Sequence, residues 1–307
     1  MRYAYVLSQH QAKATHNMQW TERRERFRAI LGGAACIHPA SVFDPVSARI
    51  AEDLGFELGM FAGSVASLVV LGAPDLTLIT LTEFADQAHR ICRAGNLPLL
   101  VDADHGYGNA LNVMRTVEEL ETAGIAALTI EDTALPQTFG AGGAIKLLSI
   151  EEGVGKMKAA LAARRDPRLA IVGRTSAMAV TGMDDALKRA RAYAAAGVDA
   201  LFFLGVRTRE QLETISADCR IPIVLGGVGA ELSDRDYLGA RGVRICLQGH
   251  QPFMAAVAAV HETMKALRAG APPSKLAHVA SAQLMQQLSR DADYARWTES
   301  FLGGAEN

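Results

Sequence analysis

Cysteine is sparse in this 307-residue chain: four residues, at 36, 92, 219 and 246, with no C-x-x-C pair among them. That spacing excludes a disulfide scaffold and the common zinc sites. Cys36 and Cys246 fall inside apolar runs and read as buried free thiols, so a reducing, cytoplasmic setting is expected. Excess charge is also missing. A net charge of −2 offers no concentrated positive field, which argues against nucleic acid or an anionic membrane as the main partner. No apolar stretch reaches the roughly 18 uninterrupted residues a bilayer span needs. Residues 1–20 are polar, lack the basic-then-apolar order of a signal peptide, and are expected to form a flexible arm. The cluster Arg23, Arg24, Arg26, Arg28, mixed with Glu22 and Glu25, reads as a solvated helix face. Lysine occurs only at 13, 146, 156, 158, 188, 265 and 275, never inside or ending a predicted strand. A Schiff-base enzyme on a barrel needs an inward, desolvated lysine, so lysine chemistry is set aside.

What is present is a repeat. A helix-like segment, a glycine and a short β-prone run recur at Leu54–Phe61, Ala123–Ile130, Ala196–Phe203 and Arg241–Leu247. Glycine at the position after a helix ends it in the left-handed conformation, and the apolar run that follows suits a strand buried on both faces. Proline marks other strand entries, at Pro98, Pro167 and Pro222. The reading gives eight strands, near 35–42, 57–62, 98–102, 127–131, 169–174, 200–204, 222–226 and 243–248. Amphipathic helices such as Ala110–Ala123 and Asp184–Ala196 lie between them. Eight alternating units predict an α/β fold, a (β/α)8 TIM barrel. An open doubly wound sheet would want a Gly-rich dinucleotide fingerprint after an early strand, and none occurs. The domain plan is an arm over 1–20, a catalytic barrel over 21–269 and a helical tail over 270–307, following the linker Gly270-Ala271-Pro272-Pro273.

Barrels of this kind carry their chemistry at the carboxyl ends of strands. Strand three ends Asp102-Ala103-Asp104-His105-Gly106; two residues apart, Asp102 and Asp104 point to one side. Carboxylates sharing a pocket repel, and a hard divalent cation relieves them. Strand four adds Glu131 and Asp132. This set suits Mg2+, which takes one or two direct carboxylates and keeps waters that further acids can hold; the plainer alternative is that Asp104 and Asp132 only cap loops. Arg174 ends strand five and can neutralise a substrate carboxylate with its two-pronged geometry, or pair with Glu131, or both. His250 after strand eight can move a proton or bind a carboxylate, while His105 is placed to orient the acids beside it. Strand two runs into Gly63-Ser64, a fair carboxylate cradle, with no base partner for a serine nucleophile. The Gly226-Gly227-Val228-Gly229 turn has no cation nearby, which disfavours a phosphorylated substrate.

At these residues the chain resembles the isocitrate lyase and phosphoenolpyruvate mutase superfamily, over about Ser41 to Ala269. The resemblance is carried by Val101-Asp102-Ala103-Asp104-His105-Gly106-Tyr107-Gly108-Asn109-Ala110, by Ala123–Asp132 and by Gly173-Arg174-Thr175, with Leu81–Phe84 and Ser149–Glu152 as further landmarks. Ala40–Pro45, Gly63–Ser67 and Gly249-His250 are most similar to the Mg2+-dependent oxaloacetate decarboxylase branch. The resemblance implies Mg2+ at Asp102, with Asp104 and Glu131 supporting it through water. It implies substrate contacts from Gly63, Ser64, Arg174 and His250, with Arg174 and His250 catalytic, and a homotetramer (a dimer of dimers) whose eighth helix swaps between subunits. Two departures matter. The lyases carry a Lys-(Lys/Arg)-Cys-Gly-His loop after strand four, and residues 133–140 here hold no cysteine, lysine or histidine. The decarboxylase branch carries a tyrosine after strand seven, where this chain has Val228.

The implied reaction is decarboxylation of oxaloacetate to pyruvate and CO2, the metal stabilising the enolate. The alternatives are a lyase or hydrolase acting on another α-keto acid, of the 2-alkylmalate or phosphonopyruvate type, and a non-catalytic keto-acid-binding relative.

Overall fold

The computed structural model describes residues 20–140 and 142–303, so the arm expected over 1–20 lies outside the described residues except for Trp20, which opens a helix over 20–32. Eight strands follow: β1 (Ala40–Ser41), β2 (Gly59–Phe61), β3 (Leu99–Asp102), β4 (Ala127–Glu131), β5 (Ala170–Thr175), β6 (Ala200–Leu204), β7 (Ile223–Gly226) and β8 (Val243–Cys246). Each pairs in parallel with the next. Ile37 makes a parallel bridge to Ile245, donating to Arg244 O at 3.0 Å and accepting from Cys246 N at 2.9 Å. That bridge joins the last strand to the approach of the first, giving the expected α/β barrel. The predicted first strand, 35–42, is broken in two because Pro39, between Ile37 and β1, has no N–H for the ladder.

Local chemistry explains the connections. Gly124 and Gly197 sit at φ 92° and 100° and end the helices Ala110–Ala123 and Met183–Ala196, a conformation that costs a residue with a side chain. Thr80 and Glu83 form a reciprocal cap on helix Leu81–Cys92, and Ser149 accepts from Glu152 N at the start of helix Ile150–Ala163. The motifs at Leu81–Phe84 and Ser149–Glu152 are thus helix starts.

Alternation along the strands sorts the side chains. Leu100, Ala127, Ala170, Val172 and Phe202 fill the barrel interior, where Phe27 and Leu31 of the first helix join them. Leu99, Val101, Leu128, Ile130 and Ile171 face the surrounding helices. Full burial of a side chain such as Phe27, 0% exposed, contributes about 1.5–3 kcal/mol.

The reading of the arginine cluster as a solvated face is corrected here. Arg23 and Arg24 are 1% and 5% exposed. Arg23 donates to the carbonyls of Cys92 and Gly95. Arg24 donates to Ile125 O at 3.0 Å, to Glu121 O at 2.8 Å and to Asp166 at 2.9 Å, and Arg28 pairs with Asp199 at 2.7 Å. Helix ends and strand entries leave carbonyls without partners, and a guanidinium fork can satisfy several at once.

The chain divides into two compact units after His250. The second holds helices Gln251–Arg268, Ala282–Ser289 and Asp291–Leu302; the sequence reading had grouped the first of these with the barrel over 21–269. No described helix is long and apolar enough to cross a membrane. Cys36, Cys92 and Cys246 are buried free thiols, and burial pushes the Cys36 thiol up to about 11.

Arg24→Ala removes a buried guanidinium that pairs with Glu121 and the half-buried Asp166 and satisfies the Ile125 and Glu121 carbonyls. It should lower stability by about 3 kcal/mol in urea unfolding; an unchanged midpoint would return this cluster to solvent.

Candidate active site

The same alternation that fills the barrel sets its mouth. Asp102 lies two residues beyond the interior Leu100, Thr129 and Glu131 two and four beyond Ala127, and Arg174 two beyond Val172. Strand register then makes them neighbours: Asp102 is opposite Thr129, Glu131 opposite Arg174, and Arg174 opposite Phe202. The contacts follow that register. Thr129 Oγ1 donates to Asp102 Oδ1 at 2.7 Å. Arg174 donates from Nη1 to Asp102 Oδ2 and pairs through Nη2 with Glu131 Oε2 at 3.1 Å. Its guanidinium carbon sits 5.5 Å from the centre of the Phe202 ring. Arg174 Nε is buried with no hydrogen-bond partner.

Past Asp102 the chain turns sharply. Asp104 and Tyr107 have φ of 47° and 60°, in the left-handed region, so the turn aims the Asp104 side chain back over the barrel. Its carboxylate lies against Gly63: a methyl group there would come to 2.8 Å of Asp104 Oδ2, which is the physical need for glycine at that position. The turn is held from behind by Thr116 Oγ1, donating to Gly106 O at 3.0 Å, and by Lys156 Nζ, donating to His105 O at 2.8 Å. The His105 ring is buried, which presses its pKa down to about 4, with the Lys156 charge adding to the effect.

His250 is held by a hydroxyl at each ring nitrogen, Ser41 Oγ at 2.9 Å from Nδ1 and Ser64 Oγ at 3.5 Å from Nε2. Burial lowers its pKa, and the nearby Asp102 and Asp75 charges offset only part of that. The imidazole is therefore neutral near physiological pH. Asp132 belongs to a different group. It is fully buried and accepts from Arg189 Nη1 at 3.0 Å and Tyr193 Oη at 2.6 Å, beneath the mouth.

Charge is unbalanced at the mouth. Burial, then Asp102 and Glu131, hold the Asp104 carboxyl well above the usual carboxylate range. Burial also raises Glu131, although Arg174 pulls it down, and burial followed by Asp102 raises Asp75. Burial works against the Arg174 charge, yet Asp102, Glu131 and Asp104 outweigh it and keep the pKa above its ordinary value. Four carboxylates thus face one guanidinium and a neutral histidine. Among the described residues, no three acidic, histidine or cysteine side chains stand close enough to grip an ion by themselves. An all-oxygen donor set with surplus negative charge fits a hard dication that keeps most of its water and touches one carboxylate directly.

Of the residues singled out from sequence, Gly63, Ser64, Asp102, Asp104, Glu131, Arg174 and His250 fall in two adjoining groups linked by Asp75 and by the Gly63–Asp104 contact, while Asp132 lies apart with Arg189 and Tyr193. Sequence reasoning passed over Ser41, although it is the last residue of β1 and the strand-end rule applied there finds it. It also passed over Asp75, which lies in the loop beyond Ser67, and over Thr129, whose role depends on cross-strand register.

The comparisons with known proteins agree with this fold. The family model for phosphoenolpyruvate phosphomutase matches residues 27–268. An oxaloacetate decarboxylase of Rhodopseudomonas palustris (strain BisB18) is 62% identical over 286 residues, covering 93% of this chain and 99% of that one. Among solved structures, a phosphoenolpyruvate phosphomutase from Streptomyces platensis subsp. rosaceus superposes with a TM-score of 0.81 at 29% identity, covering 91% and 99% of the two chains. A phosphonopyruvate hydrolase in complex with oxalate and Mg2+ gives a TM-score of 0.81 at 27% identity, covering 91% and 99%.

An acid whose folded pKa exceeds its unfolded one withdraws stability as pH climbs from the unfolded value through the folded one. With chelator present, Asp104→Asn should therefore unfold at higher denaturant than the parent above neutrality, the gain vanishing toward about pH 4. A gain independent of pH would show that Asp104 is not the strained acid.

Proposed function

The chain belongs to the phosphoenolpyruvate phosphomutase family, and we propose that it is an oxaloacetate decarboxylase that releases pyruvate and CO2 with the help of Mg2+. The observation that carries this reading is the surplus of inward carboxylates around Arg174. It is supported by 62% identity to an oxaloacetate decarboxylase and by similarity to a hydrolase that binds oxalate and Mg2+. Asp102 would hold the ion, with Asp104 and Glu131 acting through water. Bound there, the ion supplies Lewis-acid stabilisation of the negative charge that grows on the keto oxygen as CO2 leaves.

The remaining work falls to the chain. Arg174, charged and fixed by Phe202 on one side and Asp102 and Glu131 on the other, receives the carboxylate that stays with the product. Ser64 and the Gly63 turn cradle the same group. His250, neutral and tethered at both nitrogens, positions the departing carboxylate or relays a proton to the carbon it leaves, one ring nitrogen giving up its proton as the other takes one from the hydroxyl bound to it. Residues 133–140 offer no cysteine, lysine or histidine as acid, which weighs against isocitrate-type cleavage.

The partner is a second copy of the same chain, in a dimer of dimers. No residue of helix Gln251–Arg268 is buried, and Met254, Val257, Met264 and Leu267 are exposed at helical spacing, an apolar stripe a soluble helix rarely leaves open. The buried free thiols suit a cytoplasmic setting.

Pyruvate release from oxaloacetate should require Mg2+, stop in EDTA, and fall about a thousandfold in Asp102→Ala. Turnover that survives chelation removes the metal from the mechanism, and faster pyruvate release from phosphonopyruvate or a 2-alkylmalate would reassign the substrate. In solution, light scattering should give four times the 32.7 kDa chain mass; a monomer would count against the helix-mediated assembly.

A further inference from the structure

Residues 133–148 connect β4 to helix Ile150–Ala163 and follow directly on Glu131, at the barrel mouth, and Asp132, beneath it. The two ends of this loop are stitched together. Thr133 bridges antiparallel to Leu147, Ala134 N donates to Lys146 O at 2.8 Å, and Leu148 N donates to Asp132 O at 2.8 Å. Between these ties Phe139 and Ile145 are exposed.

Beneath the stitch lies one buried side chain that the reaction does not use. Arg189, on helix Met183–Ala196, donates from the same Nη1 to Asp132 Oδ2 at 3.0 Å and to Leu148 O at 2.9 Å. Its Nε donates to Asp185 Oδ2 at 2.8 Å, which anchors the guanidinium from the outer side. Asp132 and Leu148 flank the loop, so a single nitrogen grips both of its ends. Tyr193, one turn further along the helix, also donates to Asp132 but makes no bond to Leu148.

We propose that Arg189 is a positioning residue that clamps the two ends of the 133–148 loop, and so limits how far the loop opens and where Glu131 sits. A guanidinium suits the task because its planar fork places donors in fixed directions, and with Asp132 fully buried and the Leu148 carbonyl partly so, water repays a lost contact only in part. A lysine keeps the charge but is a single point on a flexible stem and cannot serve Asp185, Asp132 and Leu148 together. The clamp itself stands on geometry alone; only its effect on turnover rests on the decarboxylase reading.

The test is hydrogen exchange read by mass spectrometry on the full chain, comparing the parent with Arg189→Lys, Asp185→Asn and Tyr193→Phe. In Arg189→Lys, peptides within 134–146 should exchange about tenfold faster, the population change set by losing one charge-assisted hydrogen bond, while barrel-strand peptides keep their rates. Asp185→Asn loosens the anchor without leaving a buried charge alone. It should speed the same peptides to a smaller degree, and it keeps the test open where Arg189→Lys does not fold. Tyr193→Phe should lower the unfolding midpoint without speeding the loop. KM for oxaloacetate should rise about tenfold in Arg189→Lys with kcat nearly unchanged, as expected when an ordered loop is lost before chemistry. Unchanged loop exchange in both Arg189→Lys and Asp185→Asn overturns the proposal. So does equal acceleration in Tyr193→Phe, since any loss of support under Asp132 would then suffice. A parent that shows the Arg189-dependent exchange but turns over no oxaloacetate supports the clamp and overturns only the decarboxylase reading.

Discussion

Mutual repulsion among buried carboxylates is the constraint around which this barrel is arranged. Asp102, Asp104 and Glu131 converge on the mouth, where burial and the Asp102 charge raise the cost of ionising Asp104 and Glu131, and Arg174 answers only part of that charge. Such a cluster persists only if the rest of the fold holds it in place, and the supports are visible. Thr129 takes one oxygen of Asp102, Phe202 backs Arg174, and Gly63 leaves room for Asp104. On the proposed reading, the unsatisfied charge is what a bound cation would neutralise.

The two ends of the barrel divide the labour. At the amino ends of the strands, Phe27 and Leu31 pack into the interior while Arg23 and Arg24 satisfy carbonyls that would otherwise be buried alone. At the carboxyl ends, the inward positions carry acids, an arginine and a histidine, which no hydrophobic core would choose. Stability gathered at one end permits strain at the other. Asp104 and Tyr107 in the left-handed region, and a histidine with its pKa pressed to about 4, are parts of that strain.

Behind the mouth lies a second polar layer of Lys156, Asp132, Arg189 and Tyr193, none of which reaches the pocket's inward positions. Lys156 holds the His105 carbonyl, and Arg189 and Tyr193 hold Asp132. The layer shows how a lysine on a helix can matter to a strand-end site without ending a strand.

Period and punctuation in the sequence were enough to place the strands and helices. Glycine after a helix and runs of β-prone residues marked β4 and β6 at their observed bounds, and helix Ala110–Ala123 likewise. Strand-end position was enough to collect Asp102, Glu131, Arg174 and His250, because in a parallel barrel every carboxyl end opens on the same side. Contacts between residues far apart in the chain were not legible in this way. That Arg23 and Arg24 are buried, that Thr129 meets Asp102, that Ser41 meets His250 and that one nitrogen of Arg189 spans a loop all depend on register and on which helix face meets which turn. Residue type and local period report which apolar side chains are hidden, while the burial and partners of polar ones are decided only when the strands close into a ring.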